Sequence, residues 1–190
     1  LGARPVAEPP PSPLTLSAGS VLHLRLETPV STRASRPGDA VTARVVREVP
    51  AQAEGKGIAI PLGAAVRGRI GKLIASSNAA DRHELRLDFA ELAFADGPPQ
   101  KVRGRIVAVE NARETVLADG TIQGILADEL PLTHVEKGWE ELKKTDPELA
   151  AEMKKAQEVA LGKPDTAIAF PVGTDLQWEL SEPLAIAREF

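Results

Sequence analysis

The stretch Leu16-Ser-Ala-Gly19-Ser-Val-Leu-His-Leu-Arg-Leu26 returns in two altered versions further along the chain. The second is Ile60-Pro-Leu-Gly63-Ala-Ala-Val-Arg-Gly-Arg-Ile70, and the third is Phe170-Pro-Val-Gly173-Thr-Asp-Leu-Gln-Trp-Glu-Leu180. In each, a turn precedes alternating apolar and polar residues, the pattern of a half-buried strand. Proline is expected to set φ at the second turn position, and glycine to supply a positive φ. Because the spacing is irregular, the recurrence predicts one β domain rather than a solenoid. Its structural turn residues are Gly19, Pro61, Gly63, Pro171 and Gly173.

Further alternating segments lie between these copies. Residues 39–49 form one, and residues 84–94 are followed across a Gly-Pro turn by residues 101–110, which predicts a hairpin. A second hairpin is predicted around Asp119-Gly120. Many short antiparallel strands joined by Gly and Pro turns indicate a mainly β fold, and we expect a small antiparallel β-barrel.

The pentapeptide Val-Arg-Gly-Arg-Ile occurs at 66–70 and again at 102–106. In a strand it places Val, Gly and Ile on one face and both arginines on the other. An inward glycine fits a crowded barrel interior or a sharp bend. The outward arginines form either an anion-binding ridge or an ordinary solvated surface, and the residues concerned are Arg67, Arg69, Arg103 and Arg105.

One segment departs from the β pattern. Thr133-His-Val-Glu136 is a capping box, and Thr145-Asp146-Pro147-Glu148 starts a second helix with Pro at a tolerated position. Together they predict a helical hairpin inserted at about residues 133–162, before the last strands. The hairpin is either an arm that docks a partner or a lid packed on the barrel. Its candidate partner surface consists of Trp139, Leu142, Leu149 and Met153.

The remaining layout concerns the N-terminus. Residues 1–14 are predicted to be a Pro-rich extended linker, and residues 15–190 a single barrel domain. Because the chain starts at Leu1 rather than Met, we expect a missing N-terminal segment and export to the periplasm or another extracytoplasmic space, with a lipid anchor as one option. No run approaches the roughly 20 apolar residues of a membrane-spanning helix, so no transmembrane segment is expected.

Composition narrows the function classes. Without cysteine there are no disulfides, thiolate nucleophiles or Cys-ligated metals. A pI near 5.5 and only 3% aromatic residues argue against a nucleic-acid partner. Lys and Arg outnumber Asp and Glu in residues 21–113, and the reverse holds in residues 114–190, a split that marks an interaction face or merely two solvated surfaces.

Catalytic motifs are absent from the sequence. His23, His83 and His134 lack metal-ligand spacing, and no GxSxG elbow or phosphate-binding glycine loop occurs. We therefore predict no catalytic residue, no cofactor, no metal and no identifiable small-molecule substrate. The alternative is an envelope hydrolase at the barrel mouth, favoured if one cleft held at least two of His23, His83, Asp88, Asn111 and Glu114.

The order LSAGSVLHLRLETPVST, RPGDAVTARVV, AIPLGAAVRGRIGKL and ELRLDFAELAFADG resembles the TrbI-like domain of conjugation and type IV secretion core complexes. The resemblance covers Leu16–Gly97 and Ile168–Ile186. It implies a barrel in the bacterial cell envelope that binds or scaffolds protein partners or self-associates. In some family members a helical insertion forms an outer-membrane pore, but residues 133–162 are more charged than such a pore. We therefore expect a stand-alone, non-enzymatic envelope scaffold, with a ring-forming secretion subunit as the alternative.

Overall fold

The computed structural model describes residues 13–51, 57–78, 80–129, 136–161 and 165–186, without the side chains of 128, 136–139 and 156–161. Most of the regular structure is strand. The strands are β1 (Leu14–Leu16), β2 (Val21–Leu26), β3 (Val30–Ser31), β4 (Ala40–Val45), β5 (Val49–Pro50), β6 (Ile58–Ile60), β7 (Ala65–Ile74), β8 (Glu84–Ala93), β9 (Gln100–Lys101), β10 (Gly104–Val109), β11 (Thr115–Val116), β12 (Ile122–Gln123), β13 (Ala169–Phe170), β14 (Asp175–Leu180) and β15 (Leu184–Ile186). The helices are α1 (Glu136–Thr145) and α2 (Pro147–Leu161), preceded by a 3-10 turn at Ala127–Glu129.

The main sheet is antiparallel and curls into a nearly closed barrel. Its strands lie in the order β10-β14-β2-β4-β7-β8-β12-β11, and β9 also pairs with β8. Smaller pairs, β1 with β15, β13 with β3 and β5 with β6, surround it. The predicted mainly β fold, with an antiparallel barrel and an inserted helical hairpin, is confirmed. Leu14, the last residue of the predicted linker, belongs to β1, and residues 1–12 of that linker lie outside the described residues.

The Gly turns pin β2 and β14 to each other. The Gly19 amide donates to Leu180 O at 2.8 Å, and the Gly173 amide donates to Leu26 O at 2.9 Å. In return the Leu180 amide donates to Ser20 O and the Leu26 amide to Thr174 O, at 2.9 Å each. Each turn is therefore bonded to the far end of the neighbouring strand, which fixes the register of the pair.

The same reciprocal bonding joins β4 and β7. Gly38 N donates to Ile70 O at 2.7 Å, and Gly63 N donates to Val45 O at 2.8 Å. All four glycines adopt a positive φ, between 86° and 94°, as the sequence predicted for three of them. The turn at Gly38 is a fourth copy that the sequence alignment missed, so one turn type opens four adjacent strands.

The proposed role of proline in these turns was wrong for two copies. The Ala64 amide donates to Pro61 O and the Thr174 amide to Pro171 O, so each proline is the first residue of its turn. There it contributes a carbonyl acceptor, whereas Leu62 and Val172 occupy the second position. Only at Pro37 does a proline hold that second position, since the Asp39 amide donates to Arg36 O.

Two strand predictions also need correction. Residues 39–49 are two strands, because β4 pairs with β2 and β7 whereas β5 pairs with β6. Residues 101–110 do not form a simple hairpin with β8. Only residues up to Val102 bond to β8, and from Gly104 the chain pairs with β14 instead. This change of partner brings the two ends of the sheet together and nearly closes the barrel.

The interior is filled by the apolar faces of the alternating strands. Trp178 is fully buried and meets Phe89 edge-on, with ring centroids 6.2 Å apart. The inward glycines of the two pentapeptides lie so close to the neighbouring strand that a Cβ would not fit. A Cβ on Gly68 would come 2.1 Å from the carbonyl oxygen of Asp88, and one on Gly104 would strike the Trp178 ring. The prediction of inward Gly and outward Arg is thus confirmed.

The helices follow β12 and precede β13. Asp146 caps α2, since its Oδ1 accepts from the Leu149 amide at 3.1 Å, and Pro147 begins the helix as predicted. The capping box at Thr133 and the predicted helix end at Gly162 lie outside the described residues. The hairpin's principal packing is between its own two helices, where Ala150 is buried.

The two classes of glycine give a graded stability prediction. We expect Gly68→Ala to lower the free energy of unfolding by about 3 kcal/mol, since the backbone of β8 must move. We expect Gly63→Ala to cost about 1 to 2 kcal/mol, because its Cβ meets open space and only the positive φ is penalised. Gly57→Ala, at a site with open space and no positive φ, is the control and should change stability by less than about 0.5 kcal/mol. Urea unfolding measures all three, and a Gly68→Ala variant as stable as the control would contradict the close approach.

Candidate functional site

A cleft of about 640 Å³ opens at one end of the barrel. One wall is the loop that follows β10, and the other is the segment that runs through β13 into β14. The lining residues are Glu110, Asn111, Ala112, Arg113, Glu114, Asp165, Ala167, Ala169, Phe170, Pro171, Val172, Gly173, Thr174 and Asp175. The two walls are far apart in sequence and meet because β10 pairs with β14.

Hydrogen bonds across the cleft hold its walls in place. The Glu110 amide donates to Asp175 O at 2.9 Å, which continues the β10–β14 ladder. The Arg113 guanidinium donates to Ala167 O at 2.9 Å. Between them Asn111 adopts a φ of 55°, the left-handed conformation that asparagine tolerates better than most residues. The loop is therefore a defined turn, anchored on both sides.

Carboxylates dominate the charge of the cleft, and three of the four are ion-paired. Asp175 accepts two bonds from Arg25, at 2.7 and 2.9 Å, and this hydrogen bonding lowers the pKa of Asp175. Asp165 pairs with Arg33 at 2.8 Å, and Glu114 with Arg113 at 3.2 Å. The Glu114 carboxylate is only 5% exposed, whereas that of Asp165 is 57% exposed. The cleft thus presents Asp165 and Glu110 to solvent.

The hydrolase candidates are only partly brought together. Asn111 and Glu114 line the cleft, but they are neighbours in one loop. His23 lies on β2 with its Nε2 3.4 Å from Arg47, and Asp88 lies on the outside of β8, bonded to Arg86. His83 precedes β8, and His134 lies outside the described residues. Within the described ranges no group of three or more His, Asp or Glu side chains could hold a metal.

The four arginines of the predicted anion ridge lie on two strands that are not neighbours. Arg67 and Arg69 are on β7, opposite Glu91 and Asp88 of β8. Arg105 and Arg103 are on or beside β10, where they pair with carboxylates of the β14 region, Glu179 at 3.1 Å and Glu182 at 3.6 Å. Acidic side chains therefore stand beside both pairs. The anion ridge stays a prediction, and an ordinary solvated surface accounts for these contacts.

The candidate partner surface is exposed on α2 and half-buried on α1. Leu149 and Met153 are 45% and 49% exposed on successive turns of α2, and Leu142 of α1 is half-buried. The side chain of Trp139 is not described. Helical spacing in the sequence was enough to find this stripe.

The cleft itself was found only in part from the sequence. Asn111 and Glu114 were singled out there as candidates for a site at the barrel mouth, but Asp165, Ala169 and Val172 were not. Val172 is 60% exposed at the second position of its turn, a place where solvent normally meets a polar residue. An apolar residue in that turn position was the one signal available.

Comparison with known proteins adds information on the fold. No protein-family model and no curated protein matches the chain. Among solved structures, ComB10 of the Com type IV secretion system of Helicobacter pylori has a similar fold, with a TM-score of 0.50. The two sequences are 12% identical, and the similarity covers 93% of each chain. The resemblance to secretion-complex domains is therefore confirmed as a distant similarity of fold.

His83 is a buried polar group on which Asp165 of this cleft acts electrostatically. Its Nδ1 accepts a hydrogen bond from the Ser76 amide at 3.3 Å, and its carbonyl accepts one from the Gly124 amide at 2.8 Å. Burial lowers the pKa of His83, the positive charge of Arg33 lowers it further, and Asp165 acts in the opposite direction. The neutral imidazole is therefore the form that this site accepts, since a proton on Nδ1 would face the amide donor.

This arrangement predicts a loss of stability below the usual histidine pKa. The unfolded chain takes up the proton near pH 6.5 and the folded chain only at lower pH, so the folded state loses stability relative to the unfolded chain as the pH falls through about 6.5. We expect His83→Gln to flatten this dependence in urea unfolding. His23→Gln on the outer face of β2 is the control and should keep it. An unchanged slope in His83→Gln would show that other groups cause the loss.

Proposed function

We propose that this chain is a non-enzymatic scaffold domain of the bacterial cell envelope, which acts through protein–protein contacts in a secretion- or conjugation-type assembly. The observation that carries the proposal is the similarity of fold to a type IV secretion component over 93% of both chains. Shared architecture at low identity permits other functions, so the surfaces of this chain must supply the rest of the support.

The helical hairpin supplies the first surface. Leu149 and Met153 leave a half-exposed apolar stripe on α2, and charged side chains such as Lys154 and Lys155 flank it. Apolar side chains exposed at helical spacing are typical of a helix that docks against another protein. The hairpin packs mainly on itself. Both observations favour the docking arm over the lid.

An extracytoplasmic location is part of the same proposal. The Pro-rich segment at 1–14 suits a spacer between a membrane anchor and a folded domain. Neither described helix is long and apolar enough to cross a membrane. An N-terminal tether, by lipid or otherwise, would place the barrel at the membrane surface where such assemblies form.

A hydrolase remains the second candidate, because Asn111 and Glu114 do line one cleft. The chemistry available there is limited. Glu114 is buried and paired with Arg113, and no histidine from the described ranges lines the cleft to act as a general base. A ring-forming subunit is the third candidate, consistent with the unequal charge of residues 21–113 and 114–190.

Site-specific photo-crosslinking of the full-length protein in its own cells tests the docking arm. A photoreactive amino acid at Met153 should give discrete crosslinked products with one or a few envelope proteins, or with a second copy. The same amino acid at Lys155, exposed two residues further along α2, should give markedly fewer products. Leu149→Ser, with the photoreactive amino acid kept at Met153, should strongly reduce the products and change the stability of the barrel by less than about 0.5 kcal/mol.

Equal crosslinking from Met153 and Lys155 would contradict the docking arm. Light scattering of the purified protein distinguishes the ring alternative, since a ring subunit should give a mass above that of the monomer at high protein concentration.

Hydrolase activity that is lost in Glu114→Gln and kept in Glu91→Gln would overturn the scaffold proposal.

A further inference from the structure

One wall of the cleft contains an open strand edge. β13 pairs with β3 on one side, with Ala169 opposite Ser31 and Phe170 opposite Val30. The Thr32 amide donates to Ile168 O at 2.9 Å, so the hydrogen-bonded pairs of this ladder are those at Ile168 and Phe170. In an antiparallel pair the residue between two such pairs directs its N–H and C=O to the opposite side. The N–H and C=O of Ala169 therefore point away from β3.

The groups on either side of Ala169 along this edge already have partners. Ala167 O accepts from Arg113, and the Ala167 amide donates to Asp165 Oδ1 at 3.0 Å. Pro171 O accepts from both the amide and the hydroxyl of Thr174. Ala169 is exposed, lines the cleft and makes no hydrogen bond across this edge to any described residue. It therefore offers one donor and one acceptor, at the spacing that an added strand would use.

The charge around this edge indicates which side chains an added partner strand would carry. The lining contains four carboxylates and one guanidinium, Arg113. Glu110 makes no ion pair with a described residue, and Asp165 stays 57% exposed beside Arg33. Val172 adds an apolar contact, being 60% exposed at the rim. A basic side chain beside a small apolar one complements this combination.

We propose that the cleft binds an extended segment of a partner protein, which adds a short strand to β13. Its backbone pairs with Ala169, a Lys or Arg side chain reaches Glu110 and Asp165, and a small apolar side chain packs on Val172. This surface is separate from α2, so it stands or fails independently of the docking arm.

Peptide titration of the isotope-labelled protein, followed by NMR, tests the proposal. The probe is the acetylated, amidated peptide Thr-Lys-Val-Lys-Thr, and its matched control is Thr-Glu-Val-Glu-Thr. The lysine peptide should shift the amide resonances of residues 110–114 and 165–175 in a saturable manner, and the glutamate peptide should not. N-methylation of the central valine should weaken binding about threefold to tenfold, since one backbone hydrogen bond is lost. Raising the salt concentration should weaken binding of the unmodified lysine peptide, because salt screens the attraction between opposite charges.

Variants separate charge from fold. The double variant Glu110→Gln/Asp165→Asn removes two negative charges but keeps the Oδ1 acceptor that the Ala167 amide uses. It should lower the affinity for the lysine peptide at least about fivefold. Glu91→Gln on β8 is the control and should leave that affinity unchanged. Equal binding of the lysine and glutamate peptides, or shifts confined to other regions, would overturn the proposal. Concentration-dependent shifts of residues 165–175 without peptide would overturn it in favour of a second copy of this chain.

Discussion

Four reciprocal turn-to-strand contacts determine the geometry on which everything else in the barrel depends. In β2 with β14, the glycine that opens one strand bonds to the last residue of the other. In β4 with β7, the Gly63 amide bonds to the last residue of β4, and the Gly38 amide bonds to Ile70 in the middle of β7. The register of each pair is thereby fixed at two points. Because side chains alternate between faces, a slip of one residue would expose the core, so these contacts decide which side chains are inside. The buried leucines and Trp178 follow from that register.

Much of this could be predicted from the sequence because it is local. Alternation and Gly at turn positions identify strands one at a time, and three of the four turns stood out for that reason. The fourth, at Gly38, lacks an apolar residue in the position of Leu16, since Ser35 is there, and so escaped the alignment. The placement of Pro61 and Pro171 was wrong because sequence does not show which carbonyl closes a turn.

Pairing between distant strands could not be predicted in the same way. The change of partner between Val102 and Gly104 depends on the pairing of β10 with β14, which lies about 70 residues further along the chain, and no local pattern records that. The cleft depends on the same pairing, since its walls come from residues 110–114 and 165–175. The hydrolase candidates Asn111 and Glu114 pointed to one wall. The other wall, with Ala169 and Val172, has no polar side chain at these positions, and its candidate binding groups are the backbone N–H and C=O of Ala169.

The position of the helical hairpin has a consequence for the order of folding. It separates β12 from β13 and β14 in sequence, yet β14 lies inside the main sheet between β10 and β2. The strands β2 and β10 therefore lack this neighbour until residues 175–180 have been synthesised, and such long-range pairing is slow to form. A nascent chain of this kind keeps unpaired strand edges for longer, and such edges make an incompletely folded chain prone to aggregate.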